Sequence, residues 1–135
     1  MHQVLPAESS TYGGNTTCVE VQCGSHQLIL DMGTGIRELG KFQMKTALAA
    51  KPDTLALKAT ILQSHVHWDH IQGFPFWAPL YLDRRKFRTE FDFYGGKSWD
   101  SQLAMVYQGQ MDAPYFPVPF KEMQHIGASM EFHSI

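Results

Sequence analysis

The sequence predicts an α/β layered fold. Three features predict it: strand patterns alternate with helical ones, the apolar fraction suits one core, and a histidine-rich segment follows directly on the strongest strand. The chain has 135 residues, enough for one domain with a core and too few for two. Hydrophobic residues make up 44% and charged residues 18%, which fits a globular protein and argues against disorder. A net charge of −2, with histidine neutral, gives no general basic field that would draw nucleic acid or an anionic membrane.

The elements follow in order. Residues 1–16 read as irregular, closing on Gly13-Gly14-Asn15. Thr16 to Cys23 (TTCVEVQC) alternates β-branched and polar residues, a strand pattern, and Gly24-Ser25 reads as a tight turn into a second strand, Gln27 to Asp31. Met32-Gly33-Thr34-Gly35 is a glycine turn. A helix is expected from Ile36 to about Ala50, stopped by Pro52. Its apolar stripe of Ile36, Leu39, Ala47 and Leu48 is ragged, and Gly40 weakens it. Leu55 to Ser64 (LALKATILQS) has the best buried-strand pattern. After a proline-broken aromatic loop, Glu90 to Tyr94 reads as another strand, and Ser98 as the N-cap of a helix reaching about Gln110. Residues 111–120 are too proline-rich for regular structure, and Ser129 to Ile135 suits a last strand.

Cys18 and Cys23 are five positions apart on one extended stretch, which puts them on opposite faces and argues against a bond between them. The opening residues lack a charged segment followed by an apolar one, so no signal peptide is read there. The longest apolar stretch, Phe74 to Leu82, contains two prolines and is far too short to cross a bilayer. A cytoplasmic protein with free thiols is the expectation.

The chemistry concentrates in Ser64-His65-Val66-His67-Trp68-Asp69-His70. At the end of a strand His65 and His67 project to one side, so that two imidazoles can meet one cation. As the chain turns, Asp69 and His70 can face a second cation beside the first. Imidazole and carboxylate donors suit zinc first, with iron or manganese as alternatives. Two neighbouring metals can share a bridging hydroxide and clamp both the attacking and the leaving oxygen. The bland alternative is a polar loop whose histidines cap a strand end; the H-x-H-x-D-H spacing arises by chance in about one such chain per thousand, and metal ligation is preferred.

Residues 65–70 resemble the H-x-H-x-D-H signature of the metallo-β-lactamase fold superfamily. Tyr12-Gly13-Gly14-Asn15-Thr16-Thr17 and Leu30-Asp31-Met32-Gly33-Thr34-Gly35-Ile36-Arg37 resemble its first conserved blocks. Together with Ile71-Gln72-Gly73-Phe74-Pro75, they are most similar to the branch that contains tRNA 3′-processing endonucleases and cyclic-nucleotide phosphodiesterases. The resemblance implies His65 and His67 as ligands of a first metal, and Asp69 and His70 as ligands of a second. It implies a metal-dependent hydrolase acting on a small-molecule or nucleotide phosphodiester, with Asp69 also orienting or deprotonating the nucleophile. Thioesters, lactones and lactams are substrates of the same superfamily. Asp31 would lie beneath the site, bonded to a ligand histidine and fixing its tautomer; the alternative is a turn residue bonding its own backbone.

The family fold is an αββα sandwich of two similar halves; the resemblance covers most of residues 12–120 and is to the N-terminal half, which implies that residues 1–135 form a single partial domain. The third histidine on the first metal, a bridging aspartate and a further histidine come from later segments of the family. His125 and His133 are read as surface or strand-end residues rather than substitutes, and His2 and His26 as surface residues. A half-sandwich should leave one sheet face apolar and uncovered, to be closed by a longer chain or by a second copy in a homo-oligomer. The competing function is a catalytically silent, truncated module acting in oligomerisation or protein interaction.

Arg84-Arg85-Lys86-Phe87-Arg88 is the densest basic run; it either holds a phosphodiester beside the metals, through Arg84 and Arg85, or is a solvated loop. Phe74, Phe76, Trp77, Pro79 and Tyr81 either wall a substrate pocket or close the core. Pro114 to Phe120 suits packing or a protein contact. Gly33-Thr34-Gly35 is no dinucleotide loop, because Glu38 stands where the third glycine belongs.

Overall fold

A computed structural model describes residues 13–96 and 103–135. Five strands form one sheet whose spatial order is the chain order: β1 (Val19–Cys23), β2 (His26–Leu30), β3 (Leu55–Leu62), β4 (Arg88–Gly95) and β5 (Ser129–Ser134). β1 and β2 form an antiparallel hairpin around Gly24, which sits at φ 60°, a conformation glycine adopts without steric penalty. Every later pair is parallel, so each connection must cross back over the sheet. The crossovers carry α1 (Gly35–Leu48), the short α2 (Trp68–Ile71) with two 3-10 turns at Phe74–Phe76 and Ala78–Tyr81, and α3 (Leu103–Gly109) with α4 (Phe120–Ile126). No helix among the described residues is long and apolar enough to cross a membrane. Ser98, expected as a helix N-cap, and His2 lie outside the described residues.

The crossovers all cover one face. Ile29, Ile61, Phe91 and Phe93 point from the strands into a core shared with Ile36, Phe74, Trp77, Leu80, Tyr107 and Met123, each at most 1% exposed. Burying an aromatic side chain of this kind contributes about 1.5–3 kcal/mol. The aromatic run after the histidines therefore belongs mainly to this core: Phe74, Trp77 and Pro79 are buried, and Phe76 alone of the five is largely exposed.

The structure corrects three expectations. First, the inward stripe of α1 is Ile36, Gly40, Gln43 and Ala47, while Leu48 is exposed. Gln43 is inside because Trp77 Nε1 donates to its Oε1 at 2.7 Å and its Nε2 donates to Gln27 Oε1 at 2.8 Å. Gly40 is inside because a Cβ there would stand 2.8 Å from Trp77 Cδ1. Second, the proline-rich stretch is irregular up to Pro119 as expected, but a helix not expected from the sequence follows it: Pro119 occupies the N-cap position of α4, which buries Phe120 and Met123.

Third, the uncovered face of the sheet is not uniformly apolar. Val19, Val21, Leu28, Leu30 and Leu62 make its β1–β3 side apolar. Glu90, Asp92, Glu131 and His133 make its β4–β5 side charged, with Lys58 of β3 facing Glu90 across the boundary. Alternation along β4 explains this, since Thr89, Phe91 and Phe93 take the buried positions and leave Glu90 and Asp92 outward.

Candidate functional site

The histidine segment leaves the C-terminal end of β3, where parallel strands and their connections form a natural rim for a site. Asp31 leaves the neighbouring end of β2, and its N–H still bonds Leu62 O at 3.1 Å. Its φ of 62° is a left-handed conformation that aspartate tolerates better than most residues. This bend turns the carboxylate, 4% exposed, under the segment.

There it accepts four hydrogen bonds. Oδ1 accepts from Ser64 N at 2.8 Å and from Gln63 Nε2 at 2.9 Å, while Oδ2 lies 2.8 Å from both Ser64 Oγ and His70 Nδ1. Asp31 therefore bonds across the chain to the histidine segment. With a carboxylate on Nδ1, His70 donates from that nitrogen, and its Nε2 faces away from Asp31, 3.5 Å from Asp69 Oδ2.

The three imidazoles stand together. The His65 ring centroid is 4.7 Å from that of His67 and 4.0 Å from that of His70. Ser64 Oγ, 3.0 Å from His65 Nδ1, ties His65 to the same carboxylate through one hydroxyl. His67 and Asp69 are exposed, Asp69 with 59% of its side chain in solvent. His65 meets His67 edge to face and His70 at a tilt of 51°, and no three of the His65, His67, Asp69 and His70 donor atoms lie within 4.8 Å of one another.

Backbone packing holds the segment against the β2–α1 turn. Met32 N donates to His70 O and Gly73 N donates to Met32 O, both at 2.8 Å. Two glycines make that approach possible. A Cβ at Gly73 would fall on the Gly33 carbonyl, and one at Gly33 would stand 2.5 Å from Thr17 O and 2.6 Å from Asp69 O. Beside this contact lies a cleft of about 460 Å³ lined by Asn15, Thr34, Arg37, Gly73 and Phe76.

Arg84 and Arg85 do not join the site. In the parallel register Leu55 pairs with Arg88 and Leu62 with Tyr94, so the basic run lies at the opposite end of the sheet, roughly 20 Å from the histidines at ~3.3 Å per residue. Arg84 is occupied with main-chain carbonyls around the end of α4, donating to Gly127 O at 2.9 Å, Gln124 O at 2.7 Å and Ala128 O at 3.3 Å. Arg85 pairs with Asp83 at 2.8 Å and draws its carboxyl down to about 2.

His133 lies on the open face, in a cross-strand row with Tyr94 and Leu62, and its ring stacks on Tyr94 at 4.6 Å. Its Nε2 is 3.2 Å from Asp92 Oδ1 and 3.7 Å from Glu131 Oε2, and this trio is the one group of three donors within 4.8 Å among the described residues. It reads as a cross-strand polar cluster separate from the signature residues. His125 is exposed near the end of α4, far along the chain from the signature.

Sequence reasoning missed Gln63 and Tyr107, which connect to Asp31 from within the core. The available signal was a glutamine two positions after Ile61, on the inward side of β3. No protein-family model, curated protein or solved structure matches this chain.

Proposed function

We propose that the chain is a metal-dependent hydrolase of the metallo-β-lactamase type, or the N-terminal part of one, acting on phosphodiesters. The observation that carries this reading is the 2.8 Å bond from Asp31 Oδ2 to His70 Nδ1, with His65 and His67 packed beside the same ring. A buried carboxylate that holds one imidazole nitrogen and frees the other is the arrangement a ligand histidine needs. His65, His67, Asp69 and His70 would hold two divalent ions, with zinc the best match to this donor set and iron or manganese next. Such ions supply Lewis acidity and make water nucleophilic at neutral pH.

The chain's own residues supply the rest. The segment's backbone is held by Met32, Gly73 and Gln63, and the exposed side chains of His67 and Asp69 would turn toward the ions they are proposed to hold. Asp69, the most exposed carboxylate at the site, orients water or accepts its proton. The cleft with Arg37, Asn15 and Phe76 offers a cation, an amide and a ring to a nucleotide or small phosphodiester, a role Arg84 and Arg85 are too distant to play. The free thiols of Cys18 and Cys23 suit a cytoplasmic setting.

A second reading, a silent module acting through self-association or another protein contact, is favoured by the lack of any three signature donors within 4.8 Å of one another and by the open apolar strip at Val19, Val21 and Leu28. Metal content decides between them. About two equivalents of metal per chain, with turnover of bis(p-nitrophenyl) phosphate, supports the hydrolase; substoichiometric, easily chelated metal and no turnover supports the module. Acyl esters in the same assay separate phosphodiester from thioester, lactone or lactam chemistry, and sedimentation at micromolar concentration reads self-association.

A further inference from the structure

Gln63 occupies an unusual place. It continues the inward row of β3 after Ala59 and Ile61, yet its side chain is an amide, 7% exposed. Buried amides persist when their polar atoms are partnered, and here both ends are. Nε2 faces three acceptors: Asp31 Oδ1 at 2.9 Å, His65 O at 2.6 Å and His70 O at 3.2 Å. A cluster of three acceptors fixes the amide orientation, because the carbonyl end would be repelled there. Oε1 therefore points the other way and accepts from the hydroxyl of Tyr107 on α3. Burial raises the Tyr107 phenol well above its ordinary range, so it stays protonated and can only serve here as the donor.

The result is a chain of hydrogen bonds, Tyr107 to Gln63 to Asp31 to His70, running from a fully buried helix residue to the imidazole. Gln63 also draws the carbonyls of His65 and His70 onto one nitrogen and so sets the width of the loop between them. We propose that Gln63 and Tyr107 are positioning residues for the histidine site: through this chain they fix the Asp31 carboxylate and the span from His65 to His70, and they couple α3 to the spacing of the imidazoles. The inference rests on the reading that these imidazoles hold cations. It differs from mere satisfaction of buried groups in one respect: a purely structural chain affects stability alone, whereas a positioning chain also affects how ions are held.

The test removes one atom. Tyr107→Phe deletes the hydroxyl and leaves the ring that stacks on Phe74. Zn2+ affinity is measured by competition with a chromophoric chelator, and the Co2+ absorption spectrum reports ligand geometry. Phe120→Leu serves as a control, since Phe120 belongs to the same core and carries no polar atom. The expected result is a ~3- to 10-fold weaker Zn2+ affinity and an altered Co2+ spectrum for Tyr107→Phe, toward the low end of the effect of groups just outside a metal's ligands. Phe120→Leu should lower the thermal midpoint and leave both readings at wild-type values. Wild-type affinity and spectrum in Tyr107→Phe, or equal loosening in Phe120→Leu, would overturn the proposal while leaving the metal reading intact. A wild-type chain that takes up no Zn2+ or Co2+ would instead overturn the metal reading, and the proposal with it. Should Tyr107→Phe fail to fold, Gln63→Met keeps the length of the side chain, removes the amide, and carries the same expectations.

Discussion

Asp31 reaches across 39 positions of chain to hold His70, its Oδ2 2.8 Å from Nδ1, while its other oxygen takes the Ser64 N–H. One side chain thus closes the end of β3 and orients an imidazole. The two tasks separate in Asp31→Asn, which tolerates the left-handed backbone and still offers one oxygen. Its NH2 group would face Ser64 N and Gln63 Nε2 in one orientation, or Ser64 Oγ and His70 Nδ1 in the other, so the present set of four bonds cannot be kept whichever way it turns. We expect Zn2+ affinity to fall about 10- to 100-fold and stability to fall by about 1–3 kcal/mol. Chelator competition and urea denaturation measure the two, and unchanged affinity would remove Asp31 from the site.

Gly73→Ala tests the packing of the signature loop on the β2–α1 turn. The new methyl would collide with main chain at Gly33, which cannot move aside as a flexible side chain would. Overpacking of this kind costs about 1–3 kcal/mol or more. The thermal midpoint should drop, and a variant as stable as the parent would show that the two turns are not in contact.

Arg84→Ala separates the structural role of that residue from substrate binding. Loss of its bonds to Gln124, Gly127 and Ala128 should cost about 1–2 kcal/mol, with no change in KM for any phosphodiester. Arg85→Ala should change neither, because the Arg85 side chain is 82% exposed and solvent screens its pair with Asp83. A raised KM in either variant would return the basic run to the site.

Acidic groups with raised values make alkaline pH the weak side of the fold. Burial, aided by the charges of Glu20 and Asp31, pushes the Cys18 thiol up to about 11 from 9.0, and burial pushes Tyr81 up to about 12 from 10.0. In each case folding favours the protonated form. That contribution is complete below pH 9 and is lost as pH rises through 9 to 12. Urea midpoints should fall between pH 8 and pH 10.5; a rise would contradict the assignment. At pH 8 a thiol reagent should modify exposed Cys23 quickly and Cys18 slowly.

Much of the fold was legible. β1 to β5 all stand where alternation and turn residues place them, within a few residues, and the H-x-H-x-D-H spacing located the imidazoles that the structure packs together. What stayed hidden depends on distant partners. Gln43 reads as a surface residue until Trp77, 34 positions away, is found to be bonded to it. Gly40 reads as a weakness until the same indole is found against it. For Arg84 and Arg85 the sequence leaves open both a solvated loop and a place beside the histidines, and only the parallel register of β3 and β4 puts them at opposite ends of the sheet. Prolines hid α4, since a short helix can begin right after one.

A sheet whose spatial order repeats its chain order has a kinetic corollary. No strand has to be threaded between two others already paired, so each one finds its lateral neighbour in place when it leaves the ribosome. The hairpin can nucleate first, and growth then proceeds sideways, one crossover at a time. The His65–His70 loop, seated where β2 and β3 end, gains its Asp31 and Met32 contacts once those two strands have joined, and its tie through Gln63 to Tyr94 and Tyr107 only when β4 and α3 have been added.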